Sequence, residues 1–130
     1  MILLDTDICI EILRGTNAVI EARDKINDPV AISFMTVGEL YYGAERSKNR
    51  VKNARIVEEF ILSIKVINTD RAILKKFGEL KAELYQHNQL LPDADILIAA
   101  TSLTHCDKLI TGNIKHFQRF QQLSIDNWIR

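Results

Sequence analysis

Residues 1–13 read MILLDTDICIEIL. Ile2-Leu3-Leu4 is an apolar run too short for a helix, Asp5 ends it, and an apolar helical pattern that takes in Cys9 follows. That succession, a short strand, an acid, then a helix, recurs along the chain. Val30-Ala31-Ile32-Ser33-Phe34 reads as a second strand, Lys65-Val66-Ile67-Asn68 as a third and Leu109-Ile110-Thr111 as a fourth, with a fifth candidate at Leu123-Ser124-Ile125. The runs are short and lean toward β-branched residues. Between them, Ile73, Phe77, Leu80 and Leu84 form one stripe of an amphipathic helix, and so do Ile96, Ala99, Ala100 and Leu103, and Ala54, Val57, Ile61 and Ile64.

Thr36 is placed to cap another helix, with Glu39 at the capping-box offset. Asn68, Thr69 or Asp70 starts the helix carrying Ile73, and Pro92-Asp93 starts the next. The polar residues 45–55 read as a loop running into a helix. Strands alternating with helices imply a mostly parallel sheet of four to five strands, covered by helices on both faces, in one domain spanning residues 1–130. In such a fold the functional groups gather beyond the strand C-termini.

With 130 residues, 47% hydrophobic and 26% charged, the chain is ordinary globular material and disorder is excluded. Seventeen basic residues balance seventeen acidic ones, so bulk charge names no partner. Cys9 and Cys106 form no CxxC pair and read as reduced, core-type thiols. The N-terminus lacks a basic n-region, and the longest charge-free apolar stretch, residues 96–106, is too short to cross a bilayer. A soluble, cytoplasmic protein is expected.

The chemistry lies in the acids. Asp5 follows the first strand, Glu39 comes a helical turn after the second, Asp93 and Asp95 open the helix before the fourth, and Asn113 follows the fourth. Gathered at one edge, these carboxylates would repel one another unless a cation neutralised them. Oxygen ligands without His or Cys favour Mg²⁺ or Mn²⁺. Each acid also has an ordinary role. Asp5, Asp7 and Asp93 can each be a helix N-cap, Glu39 a capping-box acid, and Asp95 a favourable charge near a helix N-terminus.

The blocks MILLDTDICIEIL, SFMTVGELYYGAERS and LPDADILIAATSLTHCDKLITGNIKHFQRFQQLSIDNW, in that order, resemble a PIN-domain ribonuclease of the VapC-like toxin branch. The resemblance implies a three-layer α/β fold, endonucleolytic RNA cleavage leaving a 5′-phosphate and a 3′-hydroxyl, a homodimer, and an antitoxin of the VapB kind. It carries the metal-holding and catalytic roles onto Asp5, Glu39 and Asp95, with Thr6, Asp93, Thr111 and Asn113 as additional site candidates. Asn113 stands at or near a position that is often acidic in the family, so a second metal would be held loosely. Asp7 stands where Asn or Ser is usual, and a capping role is expected of it. His116 and Phe117 match the family's "HF" and are expected to be structural.

Hydrolysis of a phosphodiester by metal-activated water needs no side-chain nucleophile, and no Ser-His-Asp spacing or glycine-rich phosphate loop is present. Setting aside Asp5, Asp7, Glu39, Asp93 and Asp95 leaves twelve acids against seventeen bases. Arg46, Lys48, Arg50, Lys52, Arg55, Lys108, Lys115 and Arg119 could rim an acidic, metal-filled pocket and meet RNA, or simply solvate helix faces. The same edge chemistry would serve a PIN nuclease of RNA maturation or decay. It would also serve a receiver-like phospho-signalling domain, but Ile67-Asn68-Thr69 lacks the phospho-accepting Asp that such a domain needs.

Overall fold

The computed structural model describes residues 1–129. From the N-terminus come β1 (Ile2–Leu4), α1 (Thr6–Leu13), α2 (Asn17–Asp24), β2 (Val30–Ser33), α3 (Phe34–Arg46) and α4 (Arg50–Ser63). Then follow β3 (Lys65–Ile67), α5 (Arg71–Gln86), α6 (Asp93–His105), β4 (Lys108–Ile110), α7 (Ile114–Phe117) and β5 (Ile125–Asp126). All strand pairs are parallel, in the order β3-β2-β1-β4-β5. Leu3 of β1 is in register with Ala31 on one side and Leu109 on the other. The order reverses between β1 and β4, and at such a switch point a crevice opens beyond the strand ends.

Strand side chains alternate between the two faces of the sheet, and each face builds a core. Leu3, Ala31 and Leu109 pack with Ile73, Leu80 and Leu84 of α5, Ile96 and Ala99 of α6, and Phe117 of α7. Ile2, Leu4, Ile32 and Ile110 pack with Ile8 of α1, Val19 of α2, Leu40 of α3, Val57 of α4 and Trp128. The three-layer α/β expectation holds. Cys9 is fully buried and Cys106 partly so, both are free thiols, and burial pushes Cys106 up to about 11. Among the described residues no helix is long and apolar enough to cross a membrane.

Several local expectations are corrected. Ser33, not Thr36, caps α3: its hydroxyl accepts from the Thr36 N–H at 3.1 Å. The helix therefore starts straight from the strand, and Glu39 is no capping-box acid. The cap of α1 is Asp5, not Asp7, and that of α6 is Pro92, not Asp93. The polar stretch 45–55 is helical except at residues 47–49, because α3 runs on to Arg46. The fifth strand lies at Ile125–Asp126, two residues later than expected, and Cys106 caps the C-terminus of α6 rather than lying inside it.

Candidate metal centre

The chain leaves β1 at Asp5, whose N–H donates to the Ile110 carbonyl at 2.9 Å and so fixes the crevice between β1 and β4. Asp5 is 6% exposed. One carboxylate oxygen accepts from the Thr6 N–H at 2.7 Å, and the other accepts from the Thr111 hydroxyl at 2.8 Å. Thr111 Oγ1 in turn accepts from the Asn113 N–H at 2.9 Å. Burial, then the nearby Asp7 charge and more weakly that of Asp95, push the Asp5 carboxyl up to about 7 against the donated hydrogen bonds.

Glu39 reaches the same place from α3. The Thr6 hydroxyl donates to Glu39 Oε1 at 2.6 Å, and the Thr36 hydroxyl lies 3.0 Å from that of Thr6. Thr6 is thus the link between Asp5, through its backbone, and Glu39, through its side chain.

Asp95 lies in the first turn of α6, half-buried. Its Oδ2 is 2.7 Å from His116 Nδ1, and the same nitrogen is 2.9 Å from Asn113 Nδ2. One ring nitrogen cannot donate to a carboxylate and accept from an amide at once. With the proton on Nδ1 donating to Asp95, the Asn113 amide turns its oxygen to the ring. His116 therefore contacts two candidate site residues, Asp95 and Asn113, where it can hold them in place. The sequence signal was its spacing from Thr111, five residues, which α7 converts into proximity. Asp93 turns elsewhere: its carboxylate is 2.9 Å from Lys81 Nζ and largely exposed.

Asp7 does not cap a helix. Its Oδ2 accepts from the Gly112 N–H at 2.8 Å, while Oδ1 is buried with no hydrogen-bond partner among the described residues. Burial raises its pKa as well, with a smaller contribution from Asp95. Gly112 is required here, since a Cβ would stand 2.8 Å from both Asp7 Oδ2 and Ile129 Cδ1.

Among the described residues no three acidic, histidine or cysteine side chains already close into an ion cage. The acids instead ring the switch point and feel one another's charge, as Asp5 feels Asp7 and Asp95. Hard oxygen donors, an orphaned buried carboxylate oxygen and a buried acid held near 7 all fit a divalent cation, whose charge would reverse each penalty.

Residues 2–123 match the PIN domain. The chain is 32% identical over 128 residues to ribonuclease VapC2 of Haemophilus influenzae, covering 98% of this chain and 97% of that protein. It is 31% identical over 127 residues to the tRNA(fMet)-specific endonuclease VapC of Shigella flexneri, covering 97% and 96%. In structure it matches VapBC2 from Rickettsia felis, bound to a promoter DNA fragment, with TM-score 0.91, 30% identity and 98% and 99% coverage. The chain belongs to the PIN-domain family and, within it, to the VapC ribonucleases.

Proposed function

We propose that this VapC-type endoribonuclease hydrolyses RNA phosphodiester bonds with Mg²⁺, or Mn²⁺ in its place, held by Asp5, Glu39 and Asp95. It acts in the cytoplasm as a homodimer. The observation that carries the reading is Asp5, an acid buried against other acids at the switch point, with Thr111 and Thr6 fixing both its oxygens. When bound, the divalent ion supplies an activated water and neutralises charge on the phosphate. The chain's own groups position the ligands. Thr6 holds Glu39, Thr111 holds Asp5, and His116 holds Asp95, so each of the three carboxylates is oriented by a neighbour of its own and would draw together on the ion.

The protein partner is a cognate antitoxin. Glu39 lies at the edge of a groove of about 330 Å³ that Ile10, Leu13, Leu40, Ile56 and Val57 line. An apolar antitoxin segment fits that groove, and a basic side chain on it would reach the acids and shut the site.

The test is cleavage of RNA with and without the ion. EDTA should abolish it, and Mg²⁺ or Mn²⁺ should restore it. Asp5→Asn, Glu39→Gln and Asp95→Asn should each cut the rate by orders of magnitude without lowering the melting temperature. Asp93→Asn should stay active, because Asp93 faces Lys81. Full activity in EDTA would end the metal reading, and loss of activity only in step with unfolding would end the site assignment.

A further inference from the structure

Positive charge is concentrated at one place on this neutral chain. Arg46, Lys48, Arg50, Lys52 and Arg55 fall within ten residues where α3 turns into α4, and all are exposed. Among the described residues none of the five enters an ion pair, whereas Lys76 has Glu79 and Lys81 has Asp93. The first turn of α4 carries Arg50 and Lys52 but no acid, and Asn49 makes no side-chain capping bond. Cations there oppose the helix dipole and leave the terminal N–H groups open. Local stability therefore argues against the arrangement, and an anion would relieve both faults at once.

The tip is also held in shape. Ser47 Oγ donates to the Ala44 carbonyl at 2.6 Å and accepts from Asn53 Nδ2 at 2.8 Å. Arg46 is held over the Tyr42 ring, 5.6 Å from its centroid. Lys48, Arg50, Lys52 and Arg55 line one shallow hollow. Asn53, which lies between Lys52 and Arg55 on α4, lines the groove that Glu39 also lines. From Glu39 to Arg46 is seven residues of α3, about 10 Å of helix. Successive phosphates of an RNA strand stand several ångströms apart, so a strand seated at Glu39 comes abreast of Arg46 within a few nucleotides.

We propose that the α3–α4 tip docks the sugar–phosphate backbone of the substrate RNA, a few nucleotides from the bond that is cut. The proposal rests on the nuclease reading above. An acidic crevice repels a polyanion, and a separate basic surface that begins about 10 Å of helix from Glu39 supplies the attraction that the crevice lacks. The contacts are to phosphate, so they set register and affinity and not base preference.

The test uses the double variant Arg50→Gln, Lys52→Gln, with Arg71→Gln, Lys75→Gln on α5 as a control of equal charge change. Binding of a short fluorescein-labelled single-stranded RNA is followed by anisotropy in EDTA over a range of KCl. The tip variant should bind about tenfold more weakly, with a log–log salt slope shallower by about 1.4, the value for two lost phosphate contacts. The control should lose far less. In Mg²⁺ the tip variant should show a raised KM with kcat retained, and its Mn²⁺ binding, read by electron paramagnetic resonance, should match the unmodified chain. Equal losses in tip and control variants would overturn the dock and leave only net charge. So would unchanged RNA affinity, and weakened antitoxin binding beside it would mark the tip as a protein-binding face. If the unmodified chain binds RNA but fails to cleave it in Mg²⁺, the nuclease reading fails and not the dock.

Discussion

At Asp5 one oxygen caps α1 while the other meets Thr111 across the switch point, so the capping role and the proposed metal-holding role, rivals along the sequence, are compatible on one side chain. Its raised pKa has a thermodynamic sign. Between its ordinary value of 3.8 and about 7 the folded chain holds a proton that the unfolded chain has released. Metal-free stability should therefore fall as pH rises through that window and level off above it. Asp5→Asn should melt above the parent at pH 8, with the gap closing toward pH 4, in thermal scans run in EDTA. A gap independent of pH would show that ionisation of Asp5 is not its source. His116 allows a finer test. Asn places its amide N–H where Nδ1 lies, whereas Gln reaches the Nε2 position. His116→Asn should keep most Mn²⁺ affinity and rate, and His116→Gln and His116→Ala should lose both. Equal behaviour of Asn and Gln would mean that the Asp95 contact is incidental. These atom-level pairings were hidden in the sequence because His116 and Asp95 belong to different elements, and only the docking of α7 against α6 joins them.

The central strands were legible as elements because β1 and β2 are short, buried apolar runs closed by a polar residue, whereas the edge strands β3 and β5 are partly exposed. The stripe of α5 was legible because Ile73, Leu80 and Leu84 all face the core. The start of α3 was not. Phe34 extends the apolar run of β2, and Ser33 and Thr36 are both good caps, so propensity alone cannot choose between them. The tertiary structure chooses Ser33, and that frees Glu39 for the site. The α2 helix escaped notice because it buries only Val19. The turn after β4 carries a prediction of its own. Gly112→Ala would drive a Cβ against Asp7 and Ile129. Ile129 can shift its terminal methyl, but the Asp7 bond cannot lengthen without freeing a second buried oxygen. The variant should lose about 1–3 kcal/mol in urea unfolding and bind Mn²⁺ more weakly. Parent-like Mn²⁺ affinity would mean that the turn is only structural.

On the scale of the molecule, crowded acids make the metal-free fold less stable than its cores alone would allow, and a bound ion should repair this. Saturating Mg²⁺ at about a hundred times its dissociation constant adds about 2.7 kcal/mol. For a chain of this size that raises the melting temperature by roughly 5–10 °C, at about 2–4 °C per kcal/mol. The rise should vanish in Asp95→Asn, and calorimetry with and without the ion checks it. The position of β1 has a consequence in time. The first strand of the chain sits in the middle of the sheet, its second neighbour is β4, and the N-terminal ammonium is held 2.6 Å from Asp107. A ribosome releases Asp5 and Glu39 well before Thr111 and His116, which hold Asp5 and Asp95. Until β4 slots in beside β1 there is no crevice, so a nascent chain that stops short of β4 has no site with which to cut the RNA being translated to make it.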